Sequence, residues 1–264
     1  LSVLEALAKS EDPAERLDVL RRATEVADGP VGDPLKAFEL ASRAVEAGAQ
    51  ESDLGHLLAE VERLAAATGR WADFVALLEL VVADIPDADL QASTLEKSAS
   101  VAETRLEDVD KARAHYLRVL EQRPDRAPAL DALERIALGR EAGADLLDVL
   151  KRKTDVADGA ARAGLLVRQA EVCEARLGDR VQAIDALDRA LTEAPSAVDA
   201  AKIYAGLERL YTETARWPDL SSLFERMLSE KTGPEVAVRH MLRKGYRVVK
   251  REVKDGHIYI TTQK

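Results

Sequence analysis

The chain has 264 residues and a formal net charge of −10 at pH 7, which argues against a general affinity for nucleic acid or anionic membranes. Ala, Leu, Glu, Asp and Arg dominate, aromatic residues are only 4%, and strand-forming residues are sparse before residue 245. The most apolar stretch, residues 74–85, contains Glu79 and is too short for a transmembrane helix.

A thirteen-residue segment close to the N-terminus recurs 130 residues further along the chain. Residues 17–29 read LDVLRRATEVADG and residues 147–159 read LDVLKRKTDVADG, with ten of thirteen positions identical. Identity of this kind within one chain predicts an internal repeat.

Three interleaved series of related segments define that repeat. The first aligns on an aspartate, the second carries an apolar stripe, and the third contains the pair Glu-Arg. In chain order they are 69–87, 143–159 and 215–233; 32–49, 107–125 and 178–196; and 59–65, 131–137 and 205–211. Offsets of 72 and 74 in the first series give a double unit of about 73 residues. A single unit of half that length is typical of stacked helical hairpins.

The spacing within these segments predicts helices. In 178–196 the apolar residues Ala183, Leu187 and Leu191 recur on one face of a 3.6-residue period. Asp179 stands where an N-cap belongs, and Pro195 ends the helix. Stacked neighbours bury such a stripe, which explains why the units come in series.

A family resemblance rests on a spacing of four, three and five residues. It occurs three times, at Ala183, Leu187, Ala190 and Pro195; at Ala112, Tyr116, Val119 and Pro124; and at Phe74, Leu78, Val81 and Pro86. This resembles the second-helix signature of tetratricopeptide repeats. The Trp, Leu-Gly and Tyr of the first-helix signature are not found in register, so half-a-TPR or HEAT-like units stay open as alternatives.

The resemblance implies an all-α fold, a right-handed α-solenoid of antiparallel helical hairpins over residues 1–238 with about twelve to fourteen helices. One irregularity is expected near residue 30. Two double units span 146 residues, yet the two phrases lie 130 apart, so about one helix is missing before residue 32. Either the repeat has lost a helix, or a segment is absent from the numbered chain. We favour the absent segment, because a hairpin without one helix would expose its partner's apolar stripe. An absent segment predicts a chain gap or a poorly ordered stretch between Asp28 and Asp33.

The character of the sequence changes in the tail, residues 239–264. This segment contains eight Lys or Arg and only two acidic residues. Two β-branched runs flank Asp255-Gly256, a strong hairpin signal. A small β-hairpin-like tail is expected. It could cap the array, form the wing of a winged-helix DNA-binding domain, or belong to a neighbouring domain.

Motifs of catalysis and cofactor binding are not found in the sequence, so we expect no enzyme activity, cofactor or metal. The four histidines have no metal-ligand spacing. Cys173, the only cysteine, is expected to be a buried small hydrophobe, and it favours a reducing, cytoplasmic compartment. Trp71 and Trp217 recur at one repeat position and are expected to fill a joint between helices.

Cations recur at repeat-equivalent positions of this acidic chain. In the tetratricopeptide motif, positions 5, 9 and 13 tend to face a concave groove. The resemblance puts Lys97 and Arg168 at position 5, Arg105 and Arg176 at position 13, and Arg63, Arg135 and Arg209 at or near position 9. Two explanations stay open: ion pairs to Glu62, Glu134, Glu208 or adjacent repeats, and a basic stripe that receives an acidic peptide. The Asn-containing carboxylate clamp of chaperone-binding relatives is not expected, because the chain has no Asn and carries Val101 and Val172 at position 9.

The expected function is therefore a non-enzymatic scaffold that binds another protein, with an acidic segment as candidate ligand. The alternative is a transcriptional regulator that contacts nucleic acid through its basic tail. No membrane partner is expected.

Overall fold

The computed structural model describes residues 12–51, 53–193, 200–230, 242, 247–254 and 257–263. In these ranges the chain forms twelve α-helices, one short 3-10 helix at Val82–Asp84 and two paired strands. The first six helices are α1 (Pro13–Asp28), α2 (Pro34–Ala47), α3 (Leu54–Thr68), α4 (Trp71–Val81), α5 (Ala88–Thr104) and α6 (Val109–Gln122). The other six are α7 (Ala127–Gly139), α8 (Gly143–Val156), α9 (Gly159–Ala175), α10 (Arg180–Glu193), α11 (Ala200–Glu213) and α12 (Trp217–Glu230).

Aspartates begin several of these helices. The predicted N-cap is confirmed, because Asp179 accepts a hydrogen bond from the Gln182 amide at 2.9 Å. Asp33, Asp87 and Asp108 cap their helices in the same way, at 2.7 to 3.0 Å. Each carboxylate satisfies one amide that the first turn of a helix leaves without a partner.

The turns show the repeat more clearly than the sequence does. We call α1, α3, α5, α7, α9 and α11 the first helices, and the helix after each of them the second helix. The residue two places before every second helix has a positive φ of 54° to 73°, namely Gly32, Gly69, Glu107, Glu141, Gly178 and Ala215. Glycine adopts this left-handed conformation readily, whereas a side chain makes it costly. The geometry of the turn is therefore kept even where the glycine is not.

The predicted break near residue 30 is wrong. A continuous, ordered turn joins α1 to α2, and the Asp33 amide donates to the Ala27 carbonyl at 2.8 Å. The turns before α6 and α10 have the equivalent bonds, from Asp108 to Ala102 at 2.9 Å and from Asp179 to Cys173 at 2.8 Å. The turn before α2 thus has the same backbone bonds as the other turns that lead into a second helix.

The physical reason for that error is that α1 serves in place of the lost helix. By sequence α1 matches the second helix α8, but it packs against α2 as α5 packs against α6. Its Leu20, Ala23 and Ala27 are at most 1% exposed. The apolar stripe of α2 is therefore covered, and the exposure that favoured a missing segment does not arise.

The signature positions lie in the core, as the resemblance implied. Those of α4, α6 and α10 that precede the prolines are all at most 6% exposed: Phe74, Leu78, Val81, Ala112, Tyr116, Val119, Ala183, Leu187 and Ala190. Pro195 lies outside the described residues. Small residues at these positions let neighbouring helices approach closely, and large ones fill the space between them.

The chain divides into two compact units, Leu1–Ala142 and Gly143–Lys264. The predicted boundary between residues 238 and 239 lies outside the described residues and stays a prediction, as does the handedness of the array. Within the tail, β1 (Arg247–Lys254) pairs antiparallel with β2 (His257–Gln263). Asp255 and Gly256, the predicted turn, are outside the described residues, and the described ones give no support to a winged-helix domain.

Candidate functional site

A groove lies between two successive first helices, α3 and α5. Each helix contributes a stripe of four residues with the spacing of one helical face. They are Gly55, Leu58, Ala59 and Glu62 from α3, and Leu90, Ser93, Thr94 and Lys97 from α5. Phe74 and Leu78 of α4 form the apolar floor, and the pocket volume is about 240 Å³.

One ion pair closes the polar end of this α3–α5 groove. The Lys97 ammonium donates to both carboxylate oxygens of Glu62, at 2.9 and 3.0 Å. Both side chains are partly exposed to solvent, 48% and 35%, so the pair can exchange partners at little cost in free energy.

Two further residues of the groove suit it for a ligand. Thr94 is only 3% exposed, and its hydroxyl has no hydrogen-bond partner in the described part of the chain. A buried polar group without a partner is unfavourable, by about 1–3 kcal/mol. Gly55 leaves open space where a Cβ would stand, so the groove is open at that point.

The cations predicted near motif position 9 join successive first helices. Arg63 donates to Asp28 of α1 at 2.6 Å and to Glu60 at 2.7 Å. Arg135 of α7 is paired with Glu103 of α5. In the second unit, Arg209 of α11 is paired with Glu174 of α9, and this hydrogen bond lowers the pKa of the Glu174 carboxyl. The ion-pair explanation therefore applies to these three arginines and to Lys97.

The cations at position 13 lie beside the first residue of the preceding second helix, α4 for Arg105 and α8 for Arg176. The Arg105 guanidinium stands 5.1 Å from the ring centroid of Trp71. Gly143 occupies the position equivalent to Trp71, and the aliphatic stem of Arg176 packs there, 3.0 Å from where a Cβ would be. Trp71 is half-buried against Phe74, in keeping with the predicted joint, whereas Trp217 is 50% exposed.

Arg168 is exposed on α9, and like Lys97 it lies on a first helix. Lys97 and Arg105 belong to the first compact unit, Arg168 and Arg176 to the second. A common concave surface for the four therefore stays a prediction. Reasoning from the sequence missed the apolar floor and Thr94, although the polar pair Ser93-Thr94 inside an apolar stripe was a visible signal.

A buried histidine lies between two second helices. His115 of α6 is 4% exposed, and its Nε2 is 2.8 Å from a carboxylate oxygen of Glu79 on α4. Lys111 reaches the same oxygen at 3.4 Å, while Nδ1 of His115 has no partner among the described atoms. Burial lowers the pKa of His115, and it outweighs the opposing effect of Glu79. His115 is therefore a packing residue of the core between α4 and α6.

Reactive groups are few in the described part of the chain. Cys173 is buried, and burial raises the pKa of its thiol, which makes it a poor nucleophile. No group of three or more His, Cys, Asp or Glu residues is placed to hold a metal ion within the described ranges. Among the described helices, none has the length and apolarity needed to cross a membrane.

Several solved structures of repeat proteins resemble the chain. They include a tetratricopeptide repeat protein from Parabacteroides merdae, at 16% identity and a TM-score of 0.38, covering 88% of this chain and 87% of that one. A kinesin light chain-like repeat protein from Podospora anserina has 17% identity and a TM-score of 0.36, with 69% and 96% covered. The TPR2AB domain of yeast Sti1, in complex with pHSP90, has 13% identity and a TM-score of 0.33, with 88% and 96% covered.

No family model matches the chain, and no curated protein is significantly similar to it. The assignment of the architecture rests on the geometry of the chain itself. Helical hairpins follow one another at the expected period, and the signature positions are buried. A residue in the left-handed conformation stands two places before every described second helix. The chain is a divergent, tetratricopeptide-like helical repeat protein.

Proposed function

We propose that the chain is a non-enzymatic interaction module that binds a segment of another protein in the α3–α5 groove. The observation that supports this most is the pocket between two first helices, which has the buried Phe74 and Leu78 at its base and an exchangeable ion pair at its border. A concave apolar site with a few convergent polar groups is the usual form of a binding site.

The groove suggests the chemistry of the bound segment. A bulky apolar side chain would fill the space above Phe74 and Leu78, and its burial would supply most of the affinity. An acidic residue beside it would replace Glu62 at Lys97. Because that exchange trades one carboxylate for another, it contributes specificity more than affinity.

Gly55 allows a direct test. A Cβ at this position meets no atom within 4 Å, so Gly55→Leu adds a side chain at the groove, and replacing a helical glycine favours folding by up to about 1 kcal/mol. Gly164 on α9 has equally open surroundings, so Gly164→Leu is the matched control. The probe is a displayed library of random peptides selected on the full chain.

Selected peptides should share a bulky apolar residue next to an acidic one. They should lose at least roughly tenfold in affinity for Gly55→Leu and bind Gly164→Leu as tightly as the parent chain. Equal binding of the peptides to both variants would refute the proposed site.

A further inference from the structure

A second groove lies between the second helices α2 and α4, on residues that the α3–α5 groove does not use. Phe38 and Ser42 of α2 and Ala76, Leu77 and Leu80 of α4 line it, and its volume is about 500 Å³. Leu80 is 62% exposed. We call this surface, together with Arg43 and Glu46 at its edge, the α2–α4 face.

The internal repeat shows that this apolar surface is particular to α4. The positions equivalent to Ala76 and Leu80, 72 residues later in α8, hold Asp148 and Arg152, whose side chains form an ion pair at 3.0 Å. In α12 the equivalents are Ser222 and Arg226. The same helical position is thus polar in both other copies. An apolar side chain that stays exposed where its equivalents are charged indicates a surface that is covered by a partner.

The charges around the groove fall into two groups. Arg70 and Glu39 already have partners. Arg70 pairs with Asp73 and lies 5.2 Å from the ring centroid of Phe38, and Glu39 pairs with Lys36 at 3.5 Å. Arg43 and Glu46 are different. They are exposed one turn apart on α2, and neither has an ion-pair partner in the described part of the chain. The edge of the groove therefore offers one free cation beside one free anion.

We propose that the α2–α4 face binds the same face of a second copy of this chain. A two-fold axis that passes between Arg43 and Glu46 brings Arg43 of each copy to Glu46 of the other. The same association covers the exposed Leu80 side chain of each copy. A two-fold interface requires such a self-complementary patch, in which residue i meets j and j meets i.

Charge favours a second copy over an unrelated partner. The chain as a whole carries −10, so most pairs of its surfaces repel each other. At this face the two free charges cancel and are arranged to pair reciprocally, whereas an unrelated partner would have to match both signs independently. Apolar burial of Leu80 and Leu77 supplies the affinity, and the reciprocal pairs fix the orientation.

The test is the oligomeric state of the full chain, measured by sedimentation velocity up to roughly 100 μM. We expect a dimer. The double variant Ala76→Asp/Leu80→Arg, which copies the α8 ion pair, should raise the dissociation constant at least roughly tenfold. Val181→Arg, which changes a residue of α10 that is 70% exposed, is the control and should leave it unchanged. Circular dichroism checks that each variant is folded.

Charge reversal distinguishes this arrangement from unspecific association. Arg43→Glu or Glu46→Arg alone places like charges across the interface and should weaken the dimer, whereas the double variant Arg43→Glu/Glu46→Arg restores opposite charges and should recover it. If the chain stays monomeric, the proposal is overturned, even if the groove binds an unrelated protein. A double variant that dimerises no better than the single variants overturns it as well.

Discussion

Arg63 of α3 donates a hydrogen bond to the carboxylate of Asp28 on α1, 35 residues earlier, at 2.6 Å. Lys97 of α5 bonds Glu62 of α3 over the same separation. The first helices α3, α5, α7 and α11 each present a cation to an acidic residue of the first helix before them. Cations that recur in the sequence tie neighbouring repeats together, and four of the seven predicted binding residues are engaged in this way.

The first prediction concerns the pair of Arg135 and Glu103. Reversing Arg135→Glu puts two carboxylates together and should lower the free energy of unfolding by about 1 kcal/mol, because partly exposed pairs are weak. The double reversal Arg135→Glu/Glu103→Arg should recover most of the loss. Urea unfolding of the four proteins measures the coupling, and additive effects of the two reversals would show that the pair contributes nothing.

The second prediction uses the left-handed turns. Glu107 has a φ of 55° where Gly178 stands in the equivalent turn. Glu107→Gly should raise the free energy of unfolding by about 0.5–1 kcal/mol, since relief of strain exceeds the added freedom of the unfolded chain. Gly178→Ala should lower it by a similar amount. Thermal unfolding of both variants measures these changes in stability. A destabilised Glu107→Gly would mean that the glutamate side chain makes a favourable contact.

The third prediction concerns pH. Burial lowers the pKa of His115 from its ordinary 6.5. Between the two pKa values this histidine is therefore protonated in the unfolded chain and neutral in the folded chain. The stability is complete above about pH 6.5 and falls as the pH drops from there toward the lowered pKa. Glu79 opposes this loss, while Lys111 and Arg118 add to it.

His115→Gln should flatten that decline. In a Trp217→Phe background, Trp71 fluorescence reports unfolding of the first unit. Urea titrations from about pH 7.5 to about pH 5 then give the stability at each pH. His56→Gln, which changes an exposed histidine, is the control. A decline of the same slope in His115→Gln would place its origin elsewhere.

The fourth prediction tests whether α1 has replaced the lost helix. Leu20 is 1% exposed, so Leu20→Ala should destabilise the first unit by about 2–5 kcal/mol through the cavity it leaves. Leu35 at the start of α2 is 51% exposed, and Leu35→Ala should cost at most about 0.5 kcal/mol. Urea unfolding followed by Trp71 measures both. Equal, small effects would show that α1 is only loosely attached.

The α3–α5 groove could be predicted only in part. The sequence placed Lys97 on a first helix and named Glu62 among the possible ion-pair partners of the recurring cations, but it did not pair the two residues. It did not indicate the pocket above Phe74 and Leu78, since apolar residues at the base of a pocket and those inside the core look alike in sequence. Nor did it show that the Thr94 hydroxyl lacks a partner, which depends on atoms of neighbouring helices.

The sequence by itself determined the helical hairpins, their period and the buried signature positions, because apolar spacing and caps act within a few residues of the chain. Only the tertiary structure decided the role of α1. Its sequence is that of a second helix, yet its left-handed Gly32 turn and its packing on α2 make it a first helix. Local pattern specifies that a helix forms and which face is apolar, but the neighbour that buries this face is chosen by the competition among all available surfaces.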